Sequence, residues 1–183
     1  MKVNGNGQGK ILTRDELRCL FDEGLRSPRD KALFGLCIYT SCRISEALAL
    51  QDTDIKGGFV TFRKATTKSK LRTRAINLRP GLEKLLDEYE PASSGILFRG
   101  NRRSPILTRF RADKILRSAC SSVGLVGVST HSFRRTALTM MSNAGVPLRV
   151  IQEISGHNNL RSLQLYLEVT QEQINSAVSN IVF

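Results

Sequence analysis

The sequence predicts a mainly α fold with a small antiparallel β-sheet, an α+β arrangement, in a chain of 183 residues. Three observations predict it. Helical periodicity with recognisable start signals occurs both early and late in the chain. Between these stretches, FVTFRK and RTRAINL show the alternation and β-branching of strands. Gly57-Gly58 supplies a turn before the first of them, and the polar run ATTKSK joins the two.

Taken in order, residues 1–10 are rich in Gly and Asn and read as a flexible arm. Thr13 and Glu16 form a capping box, with Leu12 and Leu17 placed as a hydrophobic staple, which predicts a helix over Thr13–Leu25. Ser27-Pro28 opens a second helix, with serine as cap and proline in the first turn. Its body, KALFGLCIYT, is apolar nearly all round, so Tyr39 is expected in the core, as is Tyr89 in KLLDEY. RISEALAL is a third helix, and the small sheet follows. Helical periodicity returns in GLEKLLDEY, and ILF is a short strand after PASSG. From Thr108 onward the chain reads as helices: TRFRADKILRSACSSV, HSFRRTALTMMSNA ending at Gly145, LRVIQEIS ending at Gly156, NLRSLQLYLE, and a last helix capped by Thr170 with Gln173.

Composition narrows the function. Lys and Arg number 28 against 16 Asp and Glu, a net charge of +12. Such an excess favours a polyanionic partner, and nucleic acid is the commonest. The first residues lack the apolar core of a signal peptide, no stretch is long enough to span a bilayer, and the four cysteines are scattered without CxxC spacing. Cys19 and Cys37 lie in apolar helical runs and read as buried thiols. A cytoplasmic, DNA-associated protein without a metal site or membrane contact is expected.

The two histidines of the chain, His131 and His157, sit at helix ends or turns. His131 and Arg134 are three apart at a helix start, so they share a face. His157 follows a glycine stop, and Tyr166 comes nine residues later on a short helix. Arg43 begins RISEALAL. Metal-free cleavage of a phosphodiester needs arginine forks on the nonbridging oxygens, an in-line nucleophile and an acid for the leaving alkoxide. These residue types supply those parts.

TSCRISEALAL resembles the first arginine box of the tyrosine recombinase, or phage integrase, family. HSFRRTALTMM resembles its H-x-x-R box, and ISGHNNLRSLQLYLEV its Gly-His box followed by the tyrosine. The resemblance runs from Leu12 to Val169 and implies a catalytic domain over residues 11–183, with 171–183 as a tail helix. It implies that Arg43 and Arg134 clamp the scissile phosphate, that His131 handles a proton, and that His157 hydrogen-bonds the phosphate. Tyr166 would attack, leaving a 3′-phosphotyrosyl link, with Glu46 supporting the site. A lysine on the turn between the strands FVTFRK and RTRAINL, Lys68 with Lys70 next, would be the acid for the leaving 5′-oxygen. No cofactor is implied, because the phosphotyrosine conserves the bond energy.

Arg63, Lys64, Arg72 and Arg74, in a segment without acidic residues, are expected to contact double-stranded DNA, as are Arg102, Arg103, Arg109 and Arg111 in a second basic patch. Ile174, Ala177, Val178 and Ile181 form one apolar stripe. It either packs on its own domain or docks into a neighbour in a tetramer on DNA, the free protein being a monomer or weak dimer. Most family members carry a helical N-terminal domain for which this sequence leaves no room, so that domain is expected to be absent. Ser155 before the Gly-His, and Arg135 where histidine is common, are smaller departures. Two other readings use the same residues. One is a nicking-closing enzyme like type IB topoisomerases. The other is a non-catalytic helix-turn-helix protein, with LRSLQLY as recognition helix.

Overall fold

The computed structural model describes residues 9–66, 73–91, 95–101, 104–166 and 171–179. The architecture is mainly α with a small antiparallel sheet, as the sequence predicts. Helix α1 (Arg14–Cys19) starts at the expected capping box: Thr13 Oγ1 accepts from Glu16 N at 3.2 Å, and Glu16 accepts from Thr13 N at 3.0 Å. The helix does not run on unbroken to Leu25. It passes into a π turn over Leu20–Gly24, where Leu25 N donates to Leu20 O at 2.8 Å. The reason is a close approach, since a Cβ on Gly24 would stand 2.9 Å from the carbonyl oxygen of Ala119. Cys19 is half-buried here rather than buried.

Helix α2 (Pro28–Thr40) is the central helix and packs against α4 (Pro80–Tyr89) and α6 (Thr130–Asn143). Leu33, Phe34, Leu36 and Cys37 are wholly buried, and Phe34 stacks on Phe133 of α6 at 5.1 Å. Proline occupies the first turn as expected, but Ser27 caps with its backbone only. Tyr39, expected in the core, is 44% exposed because it lies outward over Gly81. Tyr89 is half-buried, donates to Leu97 O at 2.9 Å and stacks on Phe98.

After α3 (Ile44–Leu48), a three-stranded antiparallel sheet runs β1 (Ile55–Lys56), β2 (Phe59–Phe62) and β3 (Arg74–Asn77). Phe62 pairs with Arg74 at the end next to the joining turn. Residues 67–72 of that turn lie outside the described residues, and Lys68, Lys70 and Arg72 with them. A hairpin of β4 (Arg99–Asn101) and β5 (Ser104–Ile106) stands where the sequence suggests only ILF as a strand; Ile96 makes an isolated bridge to Gln51 instead. Arg102 and Arg103 are also outside the described residues.

The remaining helices are α5 (Arg109–Ser122), α6, α7 (Leu148–Ser155), α8 (Leu160–Gln164) and α9 (Gln171–Ser179). Leu138, Ile151 and Leu163 form a second, small core that ties α6, α7 and α8 together, with Tyr166 packed against it. In α9, Ile174 and Val178 are 46% and 60% exposed, and Thr170, the expected cap, lies outside the described residues. No helix among the described residues is long and apolar enough to cross a membrane.

Candidate active site

Arg43 stands at the N-cap of α3, with extended backbone after Ser41, whose φ of 53° ends α2 in the left-handed region. Its backbone N–H and its guanidinium both donate to the Glu46 carboxylate, each at 3.0 Å. Glu46 is 1% exposed and takes a second cation, Arg74, at 2.8 Å. Burial works to raise the Glu46 carboxyl, but Arg74 and Arg43 outweigh it and hold the group below the ordinary carboxylate range. The buried carboxylate therefore stays ionised and aligns two guanidiniums.

Arg134, in the second turn of α6, is 1% exposed. Its Nη1 donates to Ser41 O, and its Nη2 lies 3.1 Å from His157 Nε2. Burial, then the nearby charge of Arg43, push its pKa down to about 10, still above neutral pH. His157 follows Gly156, whose φ of 67° ends α7, and is 5% exposed. Burial, then Arg134 and Arg43, lower the imidazole to about 3, so the ring is neutral at pH 7. A guanidinium only donates, so the ring nitrogen facing Arg134 must accept. With Nε2 as that acceptor, Nδ1 carries the proton and donates to Ser155 Oγ at 2.7 Å, and the Ser155 hydroxyl in turn donates to Gln152 O at 3.3 Å. Gln152 Nε2 also holds the His157 carbonyl at 3.0 Å, which fixes the turn.

Tyr166 follows α8, one residue beyond its C-cap, rather than lying within the helix. Its ring is 5.2 Å from the His157 ring, tilted by 50°, and it is half-buried. Its N–H donates to Leu163 O at 2.9 Å, and Thr139 Oγ1 reaches its carbonyl at 3.4 Å. The phenol is thus carried on a short segment pinned by the small core.

The structure brings Arg43, Glu46, Arg134, His157 and Tyr166 to one place. His131 lies in the first turn of α6, exposed, one turn before Arg134. Arg74, expected to contact DNA, is 9% exposed and paired with Glu46, its guanidinium 4.2 Å from the Phe62 ring centroid. Strand alternation could have found it, because Arg74 shares a strand face with the half-buried Ile76 and Leu78. Arg63 is tied to its own domain, to Asp54 at 3.0 Å and Gln51 at 3.1 Å. Lys64, Arg109 and Arg111 are exposed. Ser155, noticed only as a departure, turns out to orient His157. Among the described residues no cluster of His, Cys, Asp and Glu could hold a metal ion.

Comparison with known proteins places the chain in a family. The family model described as "Phage integrase family" matches residues 10–173. Tyrosine recombinase XerC of Roseiflexus sp. (strain RS-1) is 32% identical over 175 residues, covering 87% of this chain and 55% of the relative. This chain therefore spans about half the length of the curated relatives it matches. XerA recombinase superimposes with a TM-score of 0.80 at 20% identity, over 99% of this chain and 67% of that one. The XerH site-specific recombinase in its post-cleavage complex with a palindromic difH substrate gives 0.75 at 22% identity, over 97% and 55%. With that family model matched over most of its length, the chain belongs to the phage integrase family.

Proposed function

We propose that this chain cleaves and rejoins double-stranded DNA at a specific site by transesterification through Tyr166. One observation carries the reading. A buried arginine, Arg134, meets the neutral His157, whose ring in turn lies 5.2 Å from the Tyr166 ring. Cations and a phenol placed together at a helix end suit an attack on phosphorus.

In this mechanism Arg43 and Arg134 neutralise the nonbridging oxygens of the scissile phosphate. The Tyr166 oxygen forms a bond to phosphorus as the bond to the 5′-oxygen breaks. The product is a 3′-phosphotyrosyl link and a 5′-hydroxyl, whose proton comes from Lys68 on the β2–β3 turn. His131, beside Arg134 on α6, takes the phenolic proton. Reversal by the 5′-hydroxyl of another strand reseals the DNA without an external energy source. Arg134 is 1% exposed before DNA binds, so a phosphate reaches it only once Nη2 exchanges its His157 contact for phosphate oxygen. Substrate binding thus opens the contact between α6 and the His157 turn.

The exposed Arg109 and Arg111 at the start of α5, with Lys64 beside the sheet, would hold the DNA backbone. XerH, similar in fold, is a site-specific recombinase whose structure is bound to a palindromic difH substrate. A helix-turn-helix reader is disfavoured by the short α8, Leu160–Gln164, in which Leu163 is buried. The exposed stripe of α9 would dock on a neighbouring copy; gel filtration on DNA with and without residues 171–183 should show the larger assembly only with the tail.

The test is covalent trapping on supercoiled plasmid, quenched in detergent. The native chain should yield protein-linked DNA and relaxed topoisomers, and Tyr166→Phe should yield neither. Joining of two sites in one plasmid, against relaxation alone, separates a recombinase from a topoisomerase-like enzyme.

A further inference from the structure

We propose that Arg74 is a positioning residue that sets both halves of this site: through Glu46 it fixes Arg43, and by lying beneath Gly156 it fixes the turn that carries His157. The inference rests on the phosphotyrosine reading above. Its geometry is independent of the family boxes, none of which contains Arg74.

Arg74 is held from three directions. Nη2 pairs with Glu46 at 2.8 Å, and the guanidinium plane lies over Phe62 at 4.2 Å. On the third side, a Cβ built on Gly156 would stand 3.0 Å from Arg74 Nη1 and 3.4 Å from its Cζ. Gly156 is thus required twice, by its φ of 67° and by the guanidinium that passes under it. Arg74 Nε is buried and has no hydrogen-bond partner among the described residues, so the group is held by fit and charge on that edge. Arg74 thus has its charge and its ring contact satisfied within the domain, by Glu46 and Phe62.

The two links divide the work. Glu46 Oε1 accepts from Arg43 and Oε2 from Arg74, so the carboxylate is braced on both sides. Without Arg74, Glu46 keeps only its two bonds from Arg43 and loses the brace on its far side, so Arg43, whose side chain is 21% exposed, is held less firmly. At Gly156 the same loss removes the floor beneath the His157 turn. Three buried or half-buried guanidiniums against one carboxylate, with His157 neutral, leave a surplus of two positive charges. Phosphoryl transfer concentrates negative charge on the oxygens of the transition state, so such a surplus favours the transition state over the diester. Removal of Arg74 halves it.

The experiment uses the full chain with Arg74→Met and Arg74→Lys. Adduct formation is timed at saturating supercoiled plasmid, DNA retention is followed against salt, and the ring resonances of the two histidines are followed by NMR. Arg74→Met should slow adduct formation by about 100-fold, the scale of losing a preorganised charged donor, with DNA retention and its salt dependence unchanged. It should also move the His157 resonances and leave those of His131. Arg74→Lys, which keeps the charge but not the planar fork, should recover part of the rate. Weaker retention, a shallower salt dependence and an unchanged saturated rate would identify a groove contact and overturn the proposal. So would His157 resonances that do not move. That NMR reading needs no catalysis, so it decides the matter even if the native chain forms no adduct, which would instead refute the phosphotyrosine reading. If Arg74→Met fails to fold, Arg74→Lys decides, and a native rate with native His157 resonances there overturns the proposal.

Discussion

The arginines of this protein fall into two regions with opposite surroundings. Arg74 and Arg134 are 9% and 1% exposed, each with named partners, while Arg109 and Arg111 stand exposed on the first turn of α5. The residue type and charge are the same. Burial makes the difference, because an enclosed guanidinium is costly unless paired and is strongly directional once paired. The inner group is therefore expected to govern rate and the outer group affinity.

The sharpest way to break this division is Arg134→Ala or Arg134→Lys. Either should reduce adduct formation at saturating plasmid by about a thousandfold or more, since a buried bidentate position does not accept an ammonium in place of the fork. A tenfold change in the DNA concentration needed for half-saturation, with the saturated rate preserved, would place Arg134 in the outer class. Next in size is Gly156→Ala, which forces an L side chain into a left-handed backbone against Arg74. A cost of about 1–3 kcal/mol is expected, read as a lower midpoint of thermal unfolding.

Acid titration tests the inner region as a whole. His157 titrates lower in the folded chain, at about 3, than in the unfolded one, so the unfolded state binds more protons between those limits. Stability should be complete above the ordinary histidine range and fall as pH drops toward 3, by up to about 1.4 kcal/mol per pH unit for this one proton. The depressed Glu46 adds a loss of the same sign at the acid end. His157→Gln should flatten the higher part of that slope in denaturant unfolding; an unchanged slope would mean that the ring is not held neutral. The smallest effect belongs to the outer region. Arg109→Ala and Arg111→Ala should each lower the salt dependence of DNA retention by about one unit of slope and alter the saturated rate little.

Much of this was legible in the residues. The helix of residues 148–155 is stopped by Gly156, and the sheet announces itself through Gly57-Gly58 and the alternation on either side of ATTKSK. The residues of the boxes lie at or next to helices that the sequence also announces: Arg43 at the start of α3, Arg134 in α6, His157 just after α7 and Tyr166 just after α8. What was not legible depends on contacts distant in sequence. The π turn at Leu20–Gly24 answers to Ala119, nearly a hundred residues away. Tyr39 lies over Gly81 of α4, more than forty residues on, where the absence of a Cβ leaves room for its hydroxyl. The charge of Arg74 and its basic neighbours point to DNA, and only its strand face shows that it also reaches inward to Glu46. The hairpin of β4 and β5 was hidden because GNRRSP has the composition of a loop.

The most direct test of the central claim is to identify the residue joined to DNA. The chain has three tyrosines, and trypsin places each on its own peptide: Tyr39 on residues 32–43, Tyr89 on 85–99, and Tyr166 on 162–183, since no Lys or Arg follows Arg161. Nuclease digestion of the trapped adduct, then trypsin and mass spectrometry, should find the phosphate on the 162–183 peptide, at Tyr166. A phosphate on the exposed Tyr39, or on Tyr89, would contradict the account.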